Sequence, residues 1–281
     1  MVAPAKLTLT LRVLGVRPDG FHELEALTAM VSAPADRLLI RSRRDDEVVL
    51  SVAGGGTDVP HGDDNLVVRA ARAVLPPGAG LDVELTKVTP SGAGLGGGSA
   101  DAAAILRVVR DRFGLAEAAV LAAAADLGSD VPVCVGGVPV MMRGRGEVLD
   151  PVELRGPVPV VIAKPPMACA TPAVYRAWDE LGGPCSERVV AAPSAVAHLV
   201  DGLVNDLEPA AERVEPRLTA FRGELARVAG VEPLLAGSGS AYWFPVSDEE
   251  AARDVAARVR DEMNVETFGG LVLGRGAGGE A

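Results

Sequence analysis

One stretch of this chain constrains its fold more than any other: PSGAGLGGGSADAAA, residues 90–104. Glycine at 92, 94, 96, 97 and 98 builds neither strand nor helix cheaply, because glycine gives up more backbone freedom on ordering than any other residue. The alanine-rich run behind it favours a helix. A glycine loop feeding a helix turns backbone N–H groups toward whatever approaches it, and the helix N-terminus adds partial positive charge. Pro90, Ser91, Gly92, Ala93, Gly94, Leu95, Gly96, Gly97, Gly98, Ser99 and Ala100 therefore read as a phosphate cradle, with Ser99 the expected N-cap and Asp101 in the expected first turn. The plain alternative is a flexible linker. Gly92, Gly94 and Gly97 also satisfy G-x-G-x-x-G, which leaves a nicotinamide-dinucleotide-dependent oxidoreductase open. Against that, the preceding strand alternates in polarity and is separated from the loop by Thr89, Pro90 and Ser91. No lysine precedes Ser99, so the G-x-x-x-x-G-K-S pattern is absent.

Hydropathy patterning places the remaining elements. Leu7, Leu9, Leu11 and Val13 alternate with Lys6, Thr8, Thr10 and Arg12, which predicts a strand with one wet face. RPDG at 17–20 is a turn. DRLLIRSR and DEVVLSVAG read as strands, and NLVVRAARAVL as an amphipathic helix ended by Pro76 and Pro77. Leu81, Val83 and Leu85 mark a strand suited to an antiparallel sheet. Two helices follow the glycine loop, SADAAAILRVVRDRF and LAEAAVLAAAADL, and GSDVPVCVGGVPVMMRGRGEVLDPV reads as a loop and a hairpin. Beyond residue 155 come the strand PVPVVIAKP, the helix TPAVYRAWDEL and mostly helix over 187–229. EPLLAGSGSAYWFPV reads as strand, glycine turn and strand, Ser247 and Glu250 as a capping box, and TFGGLVLG as a closing strand. The sum is an α+β fold in two lobes with the active site in the cleft between them. An N-terminal lobe of mixed or antiparallel strands with helices is expected over 1–154, a C-terminal α+β lobe over 155–274, and a disordered tail over 275–281.

Charge and cysteine usage exclude several functions. With 38 acidic against 27 basic residues and a net charge of -11 over 281 residues, the chain lacks the basic footprint that nucleic acid or an anionic membrane requires. No segment reads as a signal peptide, and the apolar run LAEAAVLAAAADLG is interrupted by Glu117 and Asp126. Cys134, Cys169 and Cys185 show no C-x-x-C spacing, which suits a reduced, cytoplasmic protein. His22, His61 and His198 lack metal-ligand spacing, so no protein metal site is expected. A monomer or homodimer is expected.

Several stretches carry a resemblance, in order along the chain: APAKLTLTLRVLGVRPDGFHELEAL near the start, DNLVVRAA (64–71), the glycine loop, LGSDVPVC (127–134), RGRGE (143–147), TPAVYRAW (171–178), NDLEPA (205–210) and AGSGSA (236–241). Together they resemble the galactokinase, homoserine kinase, mevalonate kinase and phosphomevalonate kinase family over nearly the whole chain. The openings typical of galactokinases and homoserine kinases are absent. The resemblance implies an ATP-dependent small-molecule kinase whose glycine loop holds the phosphates of ATP, with Mg²⁺ arriving on the nucleotide. It implies a small-molecule substrate with a cytidine diphosphate group, phosphorylated on an alcohol. It assigns Asp130 and Lys6 as the catalytic pair, the ammonium keeping the carboxylate ionised. On their own residues, Asp130 reads as a turn residue before Val131 and Pro132, and Lys6 as a solvated strand lysine.

For the cytidine end the resemblance points to Phe21, His22 and Tyr175, with rings to stack on a pyrimidine and an imidazole to bond its edge. Thr171 falls near the same pocket, and Thr8 near the acceptor end. Lys87 is a diphosphate contact or a strand-end surface charge, and Gly237 with Ser238 closes the site floor or forms a tight strand turn. No protein ligand of Mg²⁺ is assigned; Ser99 is the one candidate. Three positions depart from the family's usual residues: Thr8 for Asn, Phe21 for Tyr and Val88 for Arg. They bear on affinity and leave the catalytic pair intact. A sister kinase acting on another alcohol and a non-catalytic nucleotide-binding module stay open as alternatives.

Overall fold

The computed structural model describes residues 1–55, 59–154, 156–183 and 203–274. Cys185, His198, the helical expectation over 187–202 and the expected tail over 275–281 lie outside the described residues. The chain sorts into two compact units. They are not the contiguous pieces 1–154 and 155–274 expected: Leu7–Ala33 and Gly92–Leu95 belong to the same unit as the chain from Val138 onward. Strand partners are chosen by long-range pairing, which a composition change along the sequence does not report.

The first unit holds Met1–Lys6, Pro34–Ser91 and Gly96–Gly137. It contains the start of β1 (Val2–Val16) and the second half of β2 (His22–Arg43). That half of β2 pairs antiparallel with β4 (Gly80–Lys87), Leu38 facing Leu85 and Ile40 facing Val83, while β3 (Val48–Gly54) runs parallel to β4. Four helices complete it: α1 (Leu66–Val74), α2 (Gly97–Phe113), α3 (Glu117–Leu127) and α4 (Val131–Gly136). Asn65 caps α1, its side-chain oxygen accepting from the Val67 N–H at 2.9 Å. Helix α1 buries Val67, Val68, Ala70 and Ala71, and α2 buries Ala100, Ala102, Ala103 and Ala104. Alanine on this face lets α2 sit close to its neighbours. Gly114, left-handed, ends α2.

The second unit is built on β7 (Val158–Lys164), paired antiparallel on one side with β10 (Glu266–Val272) and on the other with β9 (Tyr242–Pro245). The short β8 (Leu234–Leu235) pairs with β9. The first half of β2 pairs antiparallel with β5 (Val140–Gly144), which forms a hairpin with β6 (Val148–Pro151). Among its described residues are helices α5 (Thr171–Glu180), α6 (Glu208–Val214), α7 (Arg217–Ala229) and α8 (Glu249–Met263). Its core gathers Ile162, Tyr242, Trp243 and Phe244, all fully buried. Mixed strands and helices make the fold α+β. Among the described residues no helix is long and apolar enough to cross a membrane.

Four local expectations change. Strand β1 is covered on both faces: Lys6, Thr8 and Thr10 are as buried as the leucines between them. The segment after α3 is a short helix, α4, where a loop was expected; Pro132 occupies its first turn, where a missing N–H costs nothing. Helix α8 is capped by Asp248 and not Ser247, the carboxylate accepting from Ala251 N–H at 2.8 Å. Helix α2 is capped by Gly96 and not Ser99. Gly96 takes a left-handed conformation (φ +63°), which starts the helix three residues early.

Candidate active site

The glycine loop is shaped by its backbone. The first intrahelical bond of α2 runs from Ala100 N–H to the Gly96 carbonyl at 2.9 Å. The N–H groups of Gly97, Gly98 and Ser99 are thus those a helix leaves without intrahelical partners. Gly94 (φ +75°) lies so close to the Ala236 carbonyl oxygen that a β-carbon there would overlap it. A β-carbon on Gly96 would lie 2.7 Å from Lys6 Cγ. Within the second unit the loop is fastened by backbone bonds, Ser240 N–H to Gly92 O at 3.2 Å and Ala241 N–H to Ala93 O at 3.1 Å. Pro90 and Ser91 are half-buried, and Ala93, Leu95 and Ala100 are buried.

Lys6 and Asp130 come together. Lys6 Nζ stands 3.4 Å from Asp130 Oδ2, the lysine side chain 8% exposed and the aspartate 35%. Asp130 occupies the N-cap position of α4, yet its carboxylate makes no capping bond and is turned instead to the lysine. Behind it, Arg107 of α2 donates to the Cys134 carbonyl of α4 at 2.6 Å. The Cys134 thiol is fully buried, and burial pushes it up to about 12, which keeps it neutral beside the pair.

Lys87 is neither a surface charge nor free. Its ammonium is held by Asp36 and, at 2.7 Å, by Asp101 Oδ2. Asp36 also accepts from the N–H groups of Val88 at 2.6 Å and Thr89 at 2.7 Å. A β-carbon on Gly97 would lie 3.2 Å from Lys87 Nζ, so the ammonium sits directly under the first turn of α2. Asp101, expected on that turn, is buried; burial holds its carboxyl up near 7 against the pull of Lys87. No sequence signal linked Asp36 to the loop.

A second cluster lies in the second unit. His22 Nε2 is 3.0 Å from Asp179 Oδ1, and its ring lies tilted against Tyr175 (4.6 Å) and edge-on to Trp178 (5.4 Å). Phe21 is half-exposed, with the Arg145 guanidinium 4.7 Å over its ring. Thr171 and Ser238 bond through their hydroxyls at 2.7 Å. Asn205 fixes the turn beside them: its amide donates to the carbonyls of Leu235 (2.8 Å) and Gly237 (2.7 Å) while its oxygen accepts from Leu207 N–H (3.0 Å). Thr8 is buried on β1. Asp179 and Asn205 were missed, although Asp179 lies four residues from Tyr175 on one helix and Asn205 lies in NDLEPA.

Residues 65–138 match the pattern described as GHMP kinases N terminal domain. A 4-diphosphocytidyl-2-C-methyl-D-erythritol kinase from Pelotomaculum thermopropionicum is 38% identical over 92% of this chain and 93% of its own length. One from Methylorubrum extorquens strain PA1 is 40% identical over 92% and 93%. The chain belongs to the 4-diphosphocytidyl-2-C-methyl-D-erythritol kinase family. A crystal structure of 4-(cytidine 5'-diphospho)-2C-methyl-D-erythritol kinase superposes with a TM-score of 0.81 at 35% identity, covering 96% of this chain and 98% of that one. The L. major mevalonate kinase in complex with R-mevalonate shares the fold at a TM-score of 0.73 and 13% identity, covering 98% of this chain and 95% of that one. Membership makes this kinase an ATP-dependent enzyme acting on a small molecule. It also removes the dinucleotide reading of Gly92, Gly94 and Gly97, as does the local geometry: β4 stops at Lys87 and residues 88–91 intervene before the first glycine.

Proposed function

We propose that this kinase transfers the terminal phosphoryl group of ATP to the 2-hydroxyl of 4-diphosphocytidyl-2-C-methyl-D-erythritol, giving ADP and the 2-phosphate, in the non-mevalonate route to isoprenoid precursors. The observation that carries the reading is the Lys6–Asp130 pair, with the Lys6 stem laid against Gly96, where the phosphate loop enters α2. The carboxylate is a third exposed, within reach of a hydroxyl, while the ammonium is nearly closed off from water. Asp130 orients the acceptor hydroxyl and receives its proton as the new O–P bond forms and the bond to ADP breaks. Lys6 holds that carboxylate in place and offsets charge on the transferred group. The N–H groups of Gly97, Gly98 and Ser99 hold phosphate oxygens.

In the second unit, Phe21 and Tyr175 offer faces to the cytosine and His22 an edge partner, while Thr8, Thr171, Gly237 and Ser238 contact the rest of the substrate. Lys87 belongs to the support of the loop and not to the diphosphate. Among the described residues no three His, Cys, Asp or Glu side chains stand together as a metal cage. Mg²⁺ would arrive with ATP, held mainly by phosphate and water oxygens. ADP release tests the reading. The purified protein is given Mg²⁺-ATP with 4-diphosphocytidyl-2-C-methyl-D-erythritol or with the sugar alcohol phosphate lacking cytidine. Release with the first alone supports it; equal release with both transfers the protein to a sister activity.

A further inference from the structure

We propose that Asp101 is a positioning residue for the phosphate loop: with Lys87 and Asp36 it forms a buried three-charge unit under the first turn of α2, and the charge on that unit sets how tightly the loop holds nucleotide phosphates. The inference rests on the reading of the loop as the ATP phosphate site.

The two carboxylates of the unit are not equivalent. Asp36 accepts from Lys87 and from two backbone N–H groups. Asp101 accepts from Lys87 through Oδ2, while its Oδ1, equally buried, has no partner. Two carboxylates sharing one ammonium in a dry site are not both comfortably ionised, and the oxygen without a donor is where a proton is accommodated. Among the described residues, the elements packed against the unit bring no further compensating charge. Helix α1 turns Val67, Val68, Ala70 and Ala71 inward. Helix α4 brings Cys134, a neutral thiol. Lys6 of β1 is paired with Asp130. The unit is therefore neutral with Asp101 protonated and carries one negative charge with Asp101 ionised.

Nucleotide phosphates over this turn favour the neutral form, and linkage requires the converse: binding draws a proton onto Asp101. Burial already holds the carboxyl near 7, so the exchange falls in a working range of pH. The sign follows. Affinity is high where Asp101 is protonated and falls as pH rises through neutrality.

The test is binding of Mg²⁺-ATP between pH 6 and 8.5 by calorimetry, at saturating Mg²⁺ so that the nucleotide's own terminal phosphate stays ionised. Wild type is compared with Asp101→Asn, in two buffers of different ionisation enthalpy. Wild type is expected to lose about tenfold in affinity across the range and to take up a fraction of a proton on binding, the variant to lose both effects. Identical pH profiles in the two proteins would overturn the proposal. So would absence of proton uptake by wild type near pH 7.5, a measurement that does not depend on the variant folding. Failure of wild type to bind Mg²⁺-ATP at any pH would instead strike the phosphate-loop reading itself.

Discussion

Lys6 and Asp130 meet at 3.4 Å although one lies on the first strand and the other opens α4, and both are held from the same helix. The start of α2 presses Gly96 against the Lys6 stem, and Arg107, further along it, grips the backbone of α4. One helix thus contacts Lys6 at its start and holds the backbone behind Asp130 further along, the arrangement that a reaction dependent on alignment needs.

Replacing Asp130 by Asn keeps its shape and removes its charge. Turnover is expected to drop about 10²- to 10⁴-fold with the KM for ATP little altered. Steady-state kinetics beside a thermal melt check this. A matching loss of folding would make Asp130 structural.

Arg107→Met leaves the pair intact and removes the donor to the Cys134 carbonyl. Turnover is expected to fall about tenfold, since a small displacement of α4 moves Asp130 off line. The KM for ATP should hold, and the crystal structure of the variant should show α4 shifted. Unchanged turnover would take Arg107 out of the positioning of Asp130.

Asn205→Ala strands two buried carbonyls and the Leu207 N–H. A loss of about 2–4 kcal/mol in urea unfolding is expected. Because Gly237 is one of the released groups, the KM for the cytidine substrate should rise more than that for ATP. A purely structural Asn205 would leave the ratio of the two constants where it was.

Asp179→Ala frees the His22 ring. Raised KM for the cytidine substrate by about tenfold is expected, with turnover nearly kept, because the residue orients a binding group and not a reacting one. Competition by cytidine diphosphate, measured on both proteins, should weaken in step. Undiminished competition would mean that His22 does not need the carboxylate.

The raised carboxyl of Asp101 also shapes stability. The folded chain keeps its proton to about 7, whereas an unfolded aspartate loses it near 4, so its contribution is full in acid and is lost as pH rises through neutrality. Asp101→Asn should therefore gain in melting temperature over wild type at pH 8, with the advantage shrinking below pH 5. Equal differences at both ends would deny that Asp101 is neutral in acid.

Much of the fold could be read from apolar patterning, because the strand Leu81–Leu85 and helices α1, α5 and α8 each carry an apolar face, while Val158–Lys164 and the first half of α2 are continuous runs of small or apolar residues. Strand β1 could not. Its alternation was real, but alternation separates polar from apolar and does not say whether the polar face meets water or protein. Lys6, Thr8 and Thr10 belong to the second case. The glycine loop running into a helix was legible since its chemistry is local. The ion network under it was not: Asp36 is distant in sequence from Lys87, and only the pairing of β2 with β4 brings them together. Asn205 shows the same limit, a side chain two of whose three bonds reach a distant segment, at Leu235 and Gly237.

Gly94 has no space for a methyl group and Gly96 none that does not displace Lys6. An inhibitor drawing its affinity from the backbone of this loop would face a surface the protein is not free to edit. A substitution at either glycine that dislodges the compound also disturbs the loop or the lysine beside it, so resistance would have to arise elsewhere in the chain.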